Sequence, residues 1–127
     1  MKLRYLLVFI LLSSCYKVER NCTDFKTGTF EFKYTIDGIE KKGTFVRTET
    51  LNIDYFEDKI DSASVRWIND CEFIQKKTNP IYAGEEKAIH MKILSTTDST
   101  YTFEYQLAVK QSNGKRRVEK GVAKKID

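Results

Sequence analysis

The sequence predicts an all-β domain: an antiparallel meander of about eight strands, closed as a barrel or folded as a sandwich. Three observations predict it. After residue 27 apolar and polar residues alternate with period two, turn signals recur at short intervals, and no stripe of 3.6-residue spacing persists over ten or more positions. A chain of 127 residues has room for one domain. With 41% hydrophobic and 31% charged residues it is neither disordered, collagen-like nor a coiled coil.

The first element precedes the strands. Lys2 and Arg4 are followed by an unbroken apolar run from Tyr5 to Leu12. A basic start and a short apolar stretch are the layout of a bacterial secretory signal helix. Eight residues of helix span about 12 Å, well short of a bilayer core of about 30 Å, so a permanent membrane span is not expected. The run ends in Leu12-Ser13-Ser14-Cys15. This resembles the lipobox of bacterial lipoproteins, an aliphatic residue and two small ones before Cys. The resemblance implies that residues 1–14 are a signal peptide and that Cys15 carries the lipid, with residues 15–26 as a tether and 27–127 as one β domain. Cleavage would remove Lys2 and Arg4 and halve the net charge of +4. Such a small surplus argues against a nucleic-acid partner. Residue 16 is Tyr rather than the Asp that retains many lipoproteins at the inner membrane, and Tyr16 to Arg20 lacks the acidic run of surface-exported ones. The resemblance therefore implies an outer-membrane lipoprotein of the cell envelope facing the periplasm, held to the membrane through Cys15.

The strands follow in order. Phe30, Phe32, Tyr34 and Ile36 share one face of the first, and Asp37-Gly38 is a hairpin turn. The second runs over Ile39 to Thr48, with Gly43 read as a bulge or bend. Leu51, Ile53 and Tyr55 form the third, and Glu57-Asp58-Lys59 turns the chain. Ala63, Val65 and Trp67 begin the fourth. Asn69-Asp70 leads into Cys71 and Phe73 of the fifth. After an irregular stretch at 76–87, Ile89, Met91 and Ile93 form the sixth. Asp98-Ser99 precedes Tyr101, Phe103, Tyr105 and Leu107, and Asn113-Gly114 precedes a basic last strand near Val118 to Lys124. Lys115, Arg116, Arg117, Lys120, Lys124 and Lys125 read as the charges of an edge strand that resists pairing, or as a contact with anionic lipid, rather than as a nucleic-acid surface.

Gly28-Thr29-Phe30 is similar to the Gly-x-Trp opening of lipocalins, with Phe in place of Trp. That resemblance implies a small lipocalin-like barrel. A wider one covers most of the chain. Cys15 to Cys22, Phe25 to Phe30, Ser64 to Phe73 and Ala123 to Asp127 resemble a group of small flavobacterial (Bacteroidetes) lipoproteins with no established activity. Some of that group bear the label DNA topoisomerase IV. This chain is too short for ATPase or DNA-cleavage modules, and an exported lipoprotein does not meet DNA, so the label is not supported.

Cys22 and Cys71 remain once Cys15 is lipidated. In an oxidising compartment they are expected to pair, with two separately buried thiols as the alternative. The single His, His90, excludes any two-His metal or acid/base site, and no Gly-x-Ser-x-Gly elbow accompanies it. The acidic pairs Glu57/Asp58 and Glu85/Glu86 lie in turns, and Asp54 to Asp61 lacks the Gly and terminal Glu of a calcium loop. No metal or cofactor is expected. The densest cluster is Arg66, Trp67, Asn69, Asp70 and Glu72. Trp67 reads as core, Arg66 points outward, and Arg66, Trp67 and Asp70 are the candidate binding residues. Asp61-Ser62-Ala63 and Asp98-Ser99-Thr100 resemble short O-glycosylation acceptors of Bacteroidetes-type bacteria, which makes Ser62 and Ser99 candidates. The expected function is non-enzymatic: a lipid-anchored envelope domain with a small apolar ligand, or alternatively an interaction module such as an inhibitor of an envelope hydrolase or an assembly factor.

Overall fold

The structure is a computed structural model and describes residues 18–81, 83, 87–108 and 118–127. Eight strands follow a short 3-10 helix, Cys22–Phe25. They are β1 (Gly28–Ile36), β2 (Ile39–Arg47), β3 (Leu51–Phe56), β4 (Lys59–Asn69), β5 (Glu72–Lys77), β6 (Ile89–Thr96), β7 (Thr100–Leu107) and β8 (Glu119–Lys125). Each pairs antiparallel with the next, and β8 returns to β1. The meander is thus a closed barrel of the lipocalin-like kind, not a sandwich. Closure corrects one expectation. β8 is not a free edge strand, because β7 flanks it along its length and β1 pairs with it over Ala123, Lys124 and Lys125.

Local chemistry sets the turns. Asp37 (φ 52°) and Gly38 (φ 76°) both adopt left-handed conformations, as a two-residue hairpin turn requires. Glu57 (φ 48°) and Asp58 (φ 61°) do the same without a glycine, and Glu57 is held by Lys41 at 3.0 Å. At the other end the Thr97 hydroxyl accepts from the amides of Ser99 and Thr100, and the Thr48 hydroxyl accepts from that of Leu51. These hydroxyls satisfy amides that the ladders leave over.

Gly43 is neither bulge nor bend. The β1–β2 register runs without a break from Gly28↔Arg47 to Ile36↔Ile39, with Phe32 directly opposite Gly43. The Phe32 ring occupies the volume that a side chain at 43 would need. Phe103 covers Gly121 in the same way on β7 and β8. The register breaks instead between Trp67 and Asn69 on β4 and between Ile93 and Ser95 on β6.

Meander topology puts the 37–38 and 57–58 turns, the ends of β5 and β7 and the starts of β6 and β8 at one end of the barrel. The opposite end receives both the chain preceding β1 and the chain following β8. That second end is packed solid. Cys22, Phe25, Phe30, Phe45, Ile93, Tyr101 and Ala123 form its core. The Cys22–Cys71 disulfide ties the 3-10 helix to the β4–β5 turn, with 5.2 Å between the Cα atoms.

Residues 15–26 were expected to be a tether, and their described part is instead packed. The Thr96 amide donates to the Glu19 carbonyl and the Arg20 guanidinium to that of Ile93, so the segment runs beside the lower half of β6. Phe25 is 1% exposed. Burying such a ring contributes about 1.5–3 kcal/mol toward holding the segment down, beside the disulfide at Cys22. Residues 1–14 and Cys15 lie outside the described residues, as do Glu85, Glu86, Asn113, Gly114, Lys115, Arg116 and Arg117.

Candidate functional site

Above the packed end the barrel is hollow. A cavity of about 410 Å³ occupies its upper half. That volume lies in the range of small-molecule sites, which runs from about 300 to 1,000 Å³. Its two sides differ. β1 and β7 supply Phe32, Tyr34, Tyr101, Phe103 and Tyr105, and β6 adds Met91. Facing them, β3 supplies Asn52 and Asp54, and β5 supplies Gln75. In an eight-stranded barrel β3 and β7 are diametrically opposed, so the polar groups look across the lumen at the aromatic wall.

The polar side exists because β3 is inverted relative to its apolar pattern. Leu51 and Tyr55 stand outside, 37% and 40% exposed, while Asn52 is buried at 4%. Register fixes this. Asn52 lies opposite Arg47 on β2 and Ala63 on β4, and both of those point inward. A slip by one residue would exchange the two faces of the strand.

Arg47 closes the cavity floor and is 2% exposed. Its guanidinium donates to the Phe25 carbonyl (2.6 Å), the Lys26 carbonyl (3.2 Å) and the Tyr101 hydroxyl (3.2 Å). Five rings surround it, from Phe30 and Phe73 at 4.9 Å to Trp67 at 5.7 Å. Hydrogen bonds and ring faces together stabilise a cation that burial would otherwise expel. Arg47 is thus a stopper between helix and barrel, with its bonding capacity largely spent. Burial pushes the Tyr101 hydroxyl above its ordinary pKa, with Arg47 opposing the shift.

Asp54 differs. Among the described residues its carboxylate accepts a hydrogen bond from the Asn52 amide at 3.0 Å. Burial raises its pKa above the ordinary value, the Asn52 bond and the Arg47 charge pull it back, and the charge of Asp61 raises it further. Asp61 faces it across the β3–β4 ladder and is engaged by Lys77 at 3.5 Å.

The cavity also reaches the outside of the wall. β1 and β8 pair at only three positions, ending at Phe32↔Ala123, although β1 continues to Ile36 and β8 begins at Glu119. Above that point the two strands part. Lys33, Lys120 and Val122, whose positions face outward, therefore border the same space.

The sequence candidates fall elsewhere. Trp67 points inward and packs against the core near the floor, as expected, and its indole N–H is buried without an acceptor. Arg66 stands exposed on the outer face. Asp70 lies in the β4–β5 turn and pairs with Lys26 at 2.9 Å, and that ammonium also sits 5.2 Å from the Trp67 ring. The three do not converge, and none lines the cavity. His90 faces outward beside Glu72 at 3.1 Å. The Asn69 amide bond holds the Glu72 carboxyl below its usual pKa, and the neighbouring His90 ring and Lys92 ammonium add to that. The Ser62 hydroxyl is bonded to Thr78, whereas Ser99 occupies an exposed turn. Among the described residues no three His, Cys, Asp or Glu side chains converge as a metal site would require.

Sequence reasoning missed Arg47, Asn52 and Asp54. One signal was available. Asn52 and Asp54 alternate with the apolar residues of one strand, and Arg47 ends another on the same face as Gly43 and Phe45. No protein-family model matches this chain, and no curated protein matches it either.

Proposed function

We propose that this protein is a non-enzymatic carrier in the cell envelope, anchored through a lipid on Cys15 and holding a small, largely apolar ligand in the barrel. One observation carries the ligand part: an aromatic-walled cavity of about 410 Å³ above a floor sealed by Arg47. Packing alone would fill such a space, since interiors approach the density of organic crystals. The anchor part draws on the Leu12-Ser13-Ser14-Cys15 resemblance and on topology. The chain enters the packed end, and Cys15 lies seven positions before Cys22, a reach of about 25 Å at most. A lipid on Cys15 would thus hold the packed end toward the membrane and turn the hollow end away from it.

Native mass spectrometry of the protein isolated from its own host membranes tests the ligand. An adduct of a few hundred daltons that leaves on denaturation is expected, and a clean unliganded mass would overturn the carrier reading. Fractionation tests the anchor. Cys15→Ala should release the protein from membranes, and retention in high salt would refute lipidation at that residue.

A second reading is favoured by the outer face of β3 and β4, where Tyr55 and its cross-strand neighbour Ile60 (70% exposed) leave apolar surface uncovered. An envelope protein docked there would make the chain an interaction module. Stoichiometric co-purification of one protein from solubilised envelope, lost in Tyr55→Lys/Ile60→Lys, would establish it.

A further inference from the structure

Given the carrier reading, on which this rests, we propose that the preferred ligand is a small organic cation: an ammonium on a ring-bearing body, its charge facing Asp54 and its ring against Phe103 and Phe32. The charges that border the cavity decide the sign. Arg47 is committed to the carbonyls of Phe25 and Lys26, the Tyr101 hydroxyl and five ring faces, so it has little left to offer an anion. Lys33 stands on the outer side of the opening, 3.4 Å from Glu40. Lys120 is cross-strand to Glu104, also on the outer side. Asp61 is engaged by Lys77. Asp54 remains as a cavity-lining carboxylate whose hydrogen-bond partner is a neutral amide, with the Arg47 charge acting on it from the floor.

The opposite wall suits the same ligand. Phe103 packs between Tyr101 and Tyr105, at 5.6 and 6.1 Å between ring centres, and Phe32 packs between Tyr34 and Phe45, at 5.8 and 6.0 Å. Ring faces carry negative potential and attract an ammonium, while their edges pack against a hydrocarbon ring. A carboxylate across the lumen supplies a charge-assisted acceptor that an alcohol would use less well and an ionised carboxylate ligand, which has no donor, not at all. Asn52 and Gln75 flank it and accommodate the hydroxyl or amide groups that such ligands also carry.

Three probes of one shape and different charge test this: 1-naphthylmethylammonium, 1-naphthalenemethanol and 1-naphthaleneacetate. Each is titrated calorimetrically into the full chain held in lipid nanodiscs, with empty nanodiscs subtracted. The ammonium is expected to bind about tenfold tighter than the alcohol, as for an ion pair with partial desolvation, and the acetate weakest. Asp54→Asn should bring ammonium and alcohol to equal affinity, because one amide replaces one carboxylate of the same shape. Equal binding of all three probes to wild type, or an ammonium preference that survives Asp54→Asn, overturns the inference and leaves the carrier reading standing. The wild-type comparison decides the matter even if the variant folds poorly. If no probe binds and no native adduct is found, both fail together.

Discussion

The ring of Phe32 lies directly over Gly43 across the β1–β2 ladder, in the space where a side chain at 43 would stand. The glycine is there for the ring. Gly43→Ala would drive a methyl group into Phe32, whose ring is also packed against Phe45 at 6.0 Å. Overpacking of this kind costs about 1–3 kcal/mol. Urea denaturation should register the loss, and the double variant Gly43→Ala/Phe32→Leu should recover part of it. Gly38→Ala serves as a contrast, because nothing lies within 4 Å of a Cβ there and only its left-handed φ of 76° opposes the change.

Much of the barrel was legible because one face of most strands is apolar. The alternation of Phe30, Phe32 and Tyr34, and again of Tyr101, Phe103 and Tyr105, states both strand and face. β3 defeats that logic. Leu51, Ile53 and Tyr55 declare a face as plainly as the others do, yet the register places Asn52 and Asp54 inside. Alternation names two faces, and only the neighbouring strands decide which is inner. Gly43 was opaque for a related reason, since its role depends on a ring eleven residues away in sequence. Arg47 was opaque because an arginine at a strand end ordinarily means solvent, and here a 3-10 helix from the presumed tether folds over it.

Arg47 should be the most sensitive position in the packed end. Arg47→Ala leaves the carbonyls of Phe25 and Lys26 without their donor and opens a void among five rings. A loss of about 3–5 kcal/mol is expected from cavity and desolvation together. Arg47→Lys should not restore it. A single ammonium cannot reproduce a planar fork that bonds both carbonyls and Tyr101 at once. Thermal unfolding of the two variants beside wild type measures this, and recovery by lysine would show that charge alone matters.

The disulfide should act mainly on the unfolded chain. Cys22 and Cys71 are 49 residues apart, and closing a loop of that length stabilises by about 4 kcal/mol in the chain-entropy account. Cys22→Ala/Cys71→Ala should lose up to that amount. Its first structural consequence should be local. Amide exchange ought to speed up at Asp24 and Lys26, whose N–H groups bond within the 3-10 helix, before it does at the β1–β2 ladder. Uniform acceleration throughout the barrel would mean that the helix and the barrel unfold as one.

Asp54 sets binding against stability, and pH separates the two. Burial raises its pKa in the folded protein above the unfolded value, so the folded state holds the proton more tightly. The associated stability is complete below the unfolded pKa and is lost as pH rises through the folded one. Above its folded pKa the empty barrel carries the cost of an ionised, poorly solvated carboxylate. Asp54→Asn removes that cost and should raise the melting temperature at pH 7. The gain should shrink as pH falls through and below the ordinary carboxylate range, where wild type becomes neutral too. A gain that persists at acid pH would trace the effect to packing instead. An ammonium bound beside Asp54 reverses the balance, because the ion pair favours the ionised carboxyl that burial disfavours. Saturating 1-naphthylmethylammonium should then stabilise wild type more than Asp54→Asn at pH 7, and the difference should vanish in acid. A side chain that weakens the empty fold while serving its ligand is expected of a site kept for binding rather than for packing.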